Sequence, residues 1–239
     1  MKKITSIAFA LCFALAAFAQ QGIELGLRVV PQSSAILNPE DTEAGKELDY
    51  EFTTGAAFGL NVAYNFSDKL GAGINLLYSV QGQKYINKDV SPEIKSQTDL
   101  SYLKIPVLFH FNGNPESKVM FSLEAGPQFG LLLNVEESNT SNVEDLPYEA
   151  KEAFNSMDLG VALGIGADIN LTENLQLTAK VRWDGSIADM ENKDFTYGET
   201  TVNAMGVSTT TQVSPYADER STTTNVAAGL MIGINYIFK

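Results

Sequence analysis

From Thr53 the even positions Thr54, Ala56, Phe58, Leu60, Val62, Tyr64 and Phe66 are mostly apolar, while Thr53, Gly55, Ala57, Gly59, Asn61, Ala63 and Asn65 are small or polar. A period of two places these sets on opposite faces of one strand. The same alternation runs through 70–81, 102–111, 119–133, 157–170, 175–184 and 226–238, and more weakly through 23–29, which makes eight segments. Pro106 and Pro127 lack a ladder donor, so bulges are expected at both. Beyond residue 19 no run approaches the ~18 consecutive apolar residues of a membrane helix, so any crossing of a bilayer has to be made by strands.

The links between segments fall at about 34–50, 67–69, 85–98, 112–118, 136–155, 171–174 and 189–221, long and short in alternation. In an up-and-down sheet this collects the long links at one end and the tight turns, such as Asn112-Gly113-Asn114-Pro115, at the other. The face opposite the apolar one carries Glu24, Arg28, Lys104, Glu124, Asp158, Asp168, Lys180, Arg182 and Asp184 among many glycines. That is too little charge to solvate the exterior of a soluble barrel, but it suits a polar interior with lipid outside. The expected fold is an all-β, eight-stranded antiparallel up-and-down transmembrane β-barrel. The alternative is ten strands, if Thr200-Thr201-Val202 and Val207 to Val213 join the wall instead of forming a separate hairpin.

Composition narrows the function. Lys2-Lys3, an apolar run to Phe18 and Ala17-Phe18-Ala19 form a secretory address, giving a signal peptide over 1–19, cleavage after Ala19 and a barrel domain over 20–239. Cys12 lies in mid-signal after Leu11, which does not suit lipoprotein processing, so the mature chain has no cysteine. A net charge of −13 argues against a nucleic-acid partner, and one Cys with one His excludes a Cys/His metal site; no cofactor is expected. His110 is the one imidazole available to a hydrolase, and it falls near a short turn, away from the long links; no enzyme activity is expected. Gly71-Ala72-Gly73 and Gly164-Ile165-Gly166 sit inside strands with no helix following, so they read as room inside a barrel and not as a nucleotide loop.

The nine inward charges nearly cancel, and eight strands leave an interior that side chains just fill. They are read as a structural network plugging the lumen, with Arg182 and Lys180 paired to Asp168 and Asp158 on the neighbouring strand; an ion path is the alternative. Long links one, three and four are each net acidic. Such a skirt suits a solvated rim, lipopolysaccharide bridged by divalent cations, or a basic partner. Within link three, Asp145 to Phe154 has the cap, early Pro and helix formers of a short surface helix.

Ser101-Tyr102-Leu103-Lys104-Ile105-Pro106-Val107, Glu124-Ala125-Gly126-Pro127-Gln128-Phe129-Gly130 and Asp158-Leu159-Gly160 with Gly164-Ile165-Gly166 resemble strands of the PorT-like outer-membrane β-barrel family. Gly233, Tyr236 and Phe238 resemble that family's C-terminal assembly signal, with departures at Met231 and Lys239. The resemblance implies the cell outer membrane, contact with outer-membrane lipid and lipopolysaccharide, and delivery by the barrel-assembly machinery. It carries no catalytic residue across. The expected role is structural or surface-binding, by a monomer that can meet a surface or secretion partner. A narrow channel or an accessory of an export apparatus comes second, a membrane hydrolase third.

Overall fold

The computed structural model describes residues 22–140, 148–202, 208–216 and 220–238. The expected signal peptide over 1–19 lies outside them. Eight long strands, β1 (Ile23–Leu37), β2 (Asp49–Asn65), β3 (Leu70–Asn87), β4 (Ile94–Asn112), β5 (Val119–Asn139), β6 (Met157–Asn170), β7 (Leu175–Ser186) and β10 (Thr224–Phe238), form the wall; β8 (Tyr197–Val202) and β9 (Ser208–Val213) lie between β7 and β10 in sequence. The wall closes in the order β1-β10-β7-β6-β5-β4-β3-β2, and every pairing is antiparallel. Because β1 pairs with both β2 and β10, no strand of the wall keeps a free edge, which backbone at membrane depth requires.

The ten-strand alternative is corrected. β8 and β9 pair only with each other, in a two-stranded sheet. β7 and β10 are in direct register from Gly185↔Val226 to Leu175↔Tyr236, which leaves no gap in the wall for further strands.

The strands run further at the long-link end than alternation indicated. β1 continues to Leu37, β4 begins at Ile94, and β3 pairs with it out to Asn87↔Ile94. Past the apolar band polar residues such as Thr98, Asp99, Glu136 and Glu137 enter the strands, so the regular alternation ends while the hydrogen-bonded ladder goes on. The expected bulges at Pro106 and Pro127 are also corrected. No register shift falls at either proline; the β3–β4 ladder skips from Ile74↔Val107 to Leu77↔Lys104 beside Pro106, and the β4–β5 ladder from Pro106↔Gln128 to Phe109↔Ala125 beside Pro127. Proline removes one donor without requiring an extra residue. The register shifts lie elsewhere, between Phe52 and Ala57 on β2, and where Ser101↔Asn134 gives way to Tyr102↔Leu132, so that β5 carries one extra residue at Leu133.

The two faces sort cleanly. Leu27, Phe58, Phe109, Ile165 and Val181 point outward, at least half exposed, in an apolar band around the barrel. Inside, two apolar clusters interrupt the polar lining: Val30, Ala57, Leu77 and Met231 at mid-height, and Ile36, Leu100, Tyr102, Leu132 and Val135 towards the long-link end. Met231 is fully buried against the first of these.

Candidate functional site

All nine inward charges are buried, none more than 6% exposed. Their strands alternate faces, so residues two apart, such as Lys180, Arg182 and Asp184 on β7, stack along one wall of the lumen. Glu124 on β5 is the hub. Lys180 donates to its Oε2 at 2.8 Å and stands 3.7 Å from Asp168, while Arg182 lies 3.8 Å from its Oε1. Arg182 itself donates to Asp184 through Nε at 3.0 Å and Nη2 at 2.8 Å, and to Gln128 Oε1 at 3.1 Å. Gly164, directly opposite Glu124, makes room for this hub, because a Cβ there would stand 2.6 Å from the Glu124 Cγ.

One expected pairing is corrected. Asp158 takes neither cation of β7; it accepts a hydrogen bond from the Ser186 hydroxyl. Arg182 instead meets Asp184 on its own strand, because side chains two residues apart on one face are close enough for the long guanidinium stem to fold back on its neighbour. Glu24 and Arg28 form a separate pair at 3.3 Å, with Asn61 donating to Glu24 and Arg28 to Asn235. Lys104 lies over the Tyr102 ring, 5.8 Å from its centroid. Gln128, Asn235, Asn61 and Thr178 complete the network. Only their place on the polar face marks them in sequence, since a neutral side chain adds nothing to a charge count.

At the short-turn end the lumen opens into a vestibule of about 810 Å³. Its walls include Glu24, Arg28, His110, Asp168 and Lys180, and its rim is formed by the turns carrying Asp68, Glu116 and Glu173. His110 is buried there opposite Glu124, remote from the long links. Among the described residues no group of three or more His, Cys, Asp or Glu side chains is placed to hold a metal ion.

The other end is covered by its own loops. Arg220 makes a forked contact with Asp41, at 2.8 and 3.0 Å, and donates through Nε to both oxygens of Glu191. Burial works against its charge, but the hydrogen bonds it donates to Asp41 and Glu191 outweigh that and hold the guanidinium pKa above its ordinary value. Asn38 donates to the Thr223 hydroxyl and the Ser221 carbonyl, and Asn155 to the carbonyls of Asp189 and Glu191. Loops one, three and four are thus tied together, and Met190 and Phe154 pack on the outer apolar cluster inside the barrel mouth. Of the helix expected over 145–154, residues 145–147 lie outside the described residues and Ala150–Ala153 form one 3-10 turn; Ala153 is buried and Phe154 bridges to Glu191, which ends it. The β8–β9 hairpin stands out from the barrel, with Tyr148 packed against Phe195 and Tyr197 at its base.

At the C-terminus Tyr236 and Phe238 point outward and meet edge to face, centroids 4.8 Å apart, while Gly233 lies opposite Arg28, where a Cβ would stand 2.5 Å from Nη1.

Among solved structures the chain is similar to Neisserial surface protein A, with 12% identity and a TM-score of 0.46 over 90% of this chain and 96% of that one. It is similar also to the outer membrane protein OprG from Pseudomonas aeruginosa, with 18% identity and a TM-score of 0.47 over 91% and 94%. Ail, the attachment invasion locus protein of Yersinia pestis, matches at 13% identity with a TM-score of 0.37 over 91% and 99%. No curated protein matches the chain. The family model described as outer membrane protein beta-barrel domain matches residues 18–192, from before β1 to beyond β7. With most of its length matched and its strands closed in one antiparallel ring, the chain belongs to the outer membrane protein β-barrel domain family.

Proposed function

We propose that the protein is a closed, non-catalytic outer-membrane barrel of the PorT-like kind that displays its acidic loops, loops three and four above all, as a binding surface outside the cell. The observation that carries this reading is the filling of the lumen: Arg182, Met231 and Tyr102 are each at most 1% exposed, and Met190 seals the loop end above them. A path for ions would have to pass a buried ion-pair chain and two apolar clusters, which an eight-stranded bore leaves little room for. In this reading the signal is removed after Ala19, and Gly233, Tyr236 and Phe238 are recognised by the barrel-assembly machinery. The mature protein stands as a monomer in outer-membrane lipid, its loops against lipopolysaccharide or a surface or secretion partner. The test is single-channel recording of refolded protein in planar bilayers. Silence from inserted protein is the expected result; steady ohmic steps would replace this reading with that of a narrow channel or export accessory.

A further inference from the structure

Among the described residues eight buried side-chain polar atoms have no hydrogen-bond partner, and three of them belong to residues that line the vestibule at the short-turn end. Arg28, Asn65 and His110 line it, and each keeps one buried polar atom without a hydrogen-bond partner: Nε, Oδ1 and Nε2 respectively. Arg28 and His110 are more than nine-tenths buried. The remaining charged groups of the wall are engaged, Glu24 with Arg28 and Asn61, Asp168 with Thr178, and Lys180 with Glu124. Leaving buried donors and acceptors unmet is costly; the three atoms are themselves shut off from solvent, so a ligand in the vestibule meets them once these side chains turn towards it.

We propose that this vestibule binds a short peptide with free termini, entering from the periplasmic side. The unmet set is mixed: the Arg28 Nε–H donates, the Asn65 carbonyl accepts, and the imidazole Nε2 accepts or donates according to tautomer. The charges of the wall are mixed too, Arg28 and Lys180 against Glu24 and Asp168, so neither a polyanion nor a polycation finds a uniform field. A dipolar chain satisfies both signs. Its carboxylate reaches Arg28 in the depth, and its ammonium lies towards the rim, where Asp68, Glu116 and Glu173 outnumber Lys118. Amide groups between them supply the donor or acceptor that His110 needs. The volume, about 810 Å³, falls within the range of about 300–1,000 Å³ common for small-molecule sites. The short turns of such barrels face the periplasm, which sets the direction of entry.

His110 is the chain's one histidine, so its ring gives a single, unambiguous NMR signal inside the vestibule. The experiment titrates trialanine into untagged, refolded protein in detergent micelles while following the imidazole resonances, with N-acetyl-trialanine amide and spermidine as controls. Trialanine is expected to shift them saturably below about 10 mM, and the capped peptide to bind about tenfold more weakly. Arg28→Lys removes the Nε donor but keeps the charge, and Asn65→Ala removes the unmet carbonyl at the edge of the site. Each is expected to weaken trialanine about fivefold or more. Should Arg28→Lys fail to give the compact, heat-modifiable band of a folded barrel, Asn65→Ala carries the comparison alone. No saturable shift, equal binding of the capped peptide, a response to spermidine only, or full affinity in folded Asn65→Ala would each overturn the proposal.

Discussion

Replacing Arg182 by Met tests whether the lumen charges act as one structural unit. Arg182 is 1% exposed and supplies every hydrogen bond that Asp184 is seen to accept, through Nε and Nη2. Methionine would leave Asp184 as a buried carboxylate without its cation and take the donor from Gln128 Oε1. Glu124 would keep Lys180 at 2.8 Å, so the loss falls mainly on one carboxylate. Removing one partner of a buried pair costs about 3–5 kcal/mol, while replacing both by apolar groups of similar size is often neutral. Arg182→Met is therefore expected to lower the folding equilibrium on the order of a thousandfold. The double variant Arg182→Met with Asp184→Leu should recover most of the loss. The assay is reversible denaturant unfolding in lipid vesicles followed by the fluorescence of Trp183, the chain's one tryptophan, which points outward beside Arg182. A loss below about 1 kcal/mol in the single variant, or a double variant no more stable than the single, would refute the unit.

Leu163 faces lipid and Ala162 the lumen, so Leu163→Arg should cost about 2–4 kcal/mol in the same vesicle assay while Ala162→Ser stays near neutral; equal effects would mean the faces are misassigned. Arg220→Ala removes the forked contact to Asp41 and the link to Glu191, and about 1 kcal/mol lost at this partly exposed clasp should raise protease cleavage in loops one and four several-fold without changing the barrel's mobility. The Ser221 hydroxyl's hydrogen bond holds the Glu40 carboxyl below its ordinary 4.5. A depressed carboxylate contributes fully above its unfolded value and loses that contribution as pH falls through the folded one. Release of loop four from the helix at Pro39–Glu43, read by the same protease, should therefore begin only below about pH 4.5. Release near neutrality would remove Glu40 from the clasp.

The wall of the barrel was legible because lipid and lumen demand opposite side chains at successive residues, so Phe58, Leu60 and Val62 declared their face beside Gly59 and Asn61. Less legible were features that alternation does not encode. Leu77 and Ala57 share the polar face with Asn75 and Asn61, and nothing in the sequence shows that they meet Val30 and Met231 on one side of the lumen; that follows from the register of β3, β2, β1 and β10, neighbours in the closed wall. Arg182 folds back on Asp184, two positions along its own strand, a contact that the cross-strand neighbours on the polar face do not reveal. The extra residue at Leu133 reverses the facing beyond it, so Leu132 and Val135 both turn inward. The three atoms left unmet in the vestibule depend on side-chain geometry and have no counterpart in any motif.

The seam between β1 and β10 joins the two ends of the chain: Arg28 and Asn235, whose side chains meet there, are 207 residues apart. A polypeptide released before its last strand is made would present two unpaired edges, on β1 and β7, to a medium with no water to satisfy them. Nor can the missing strand be replaced from within, since β8 and β9 are too short to cover either edge. Early termination ahead of Thr224 therefore leaves no smaller barrel behind, and biogenesis of this protein is all-or-none with respect to its fifteen-residue strand β10.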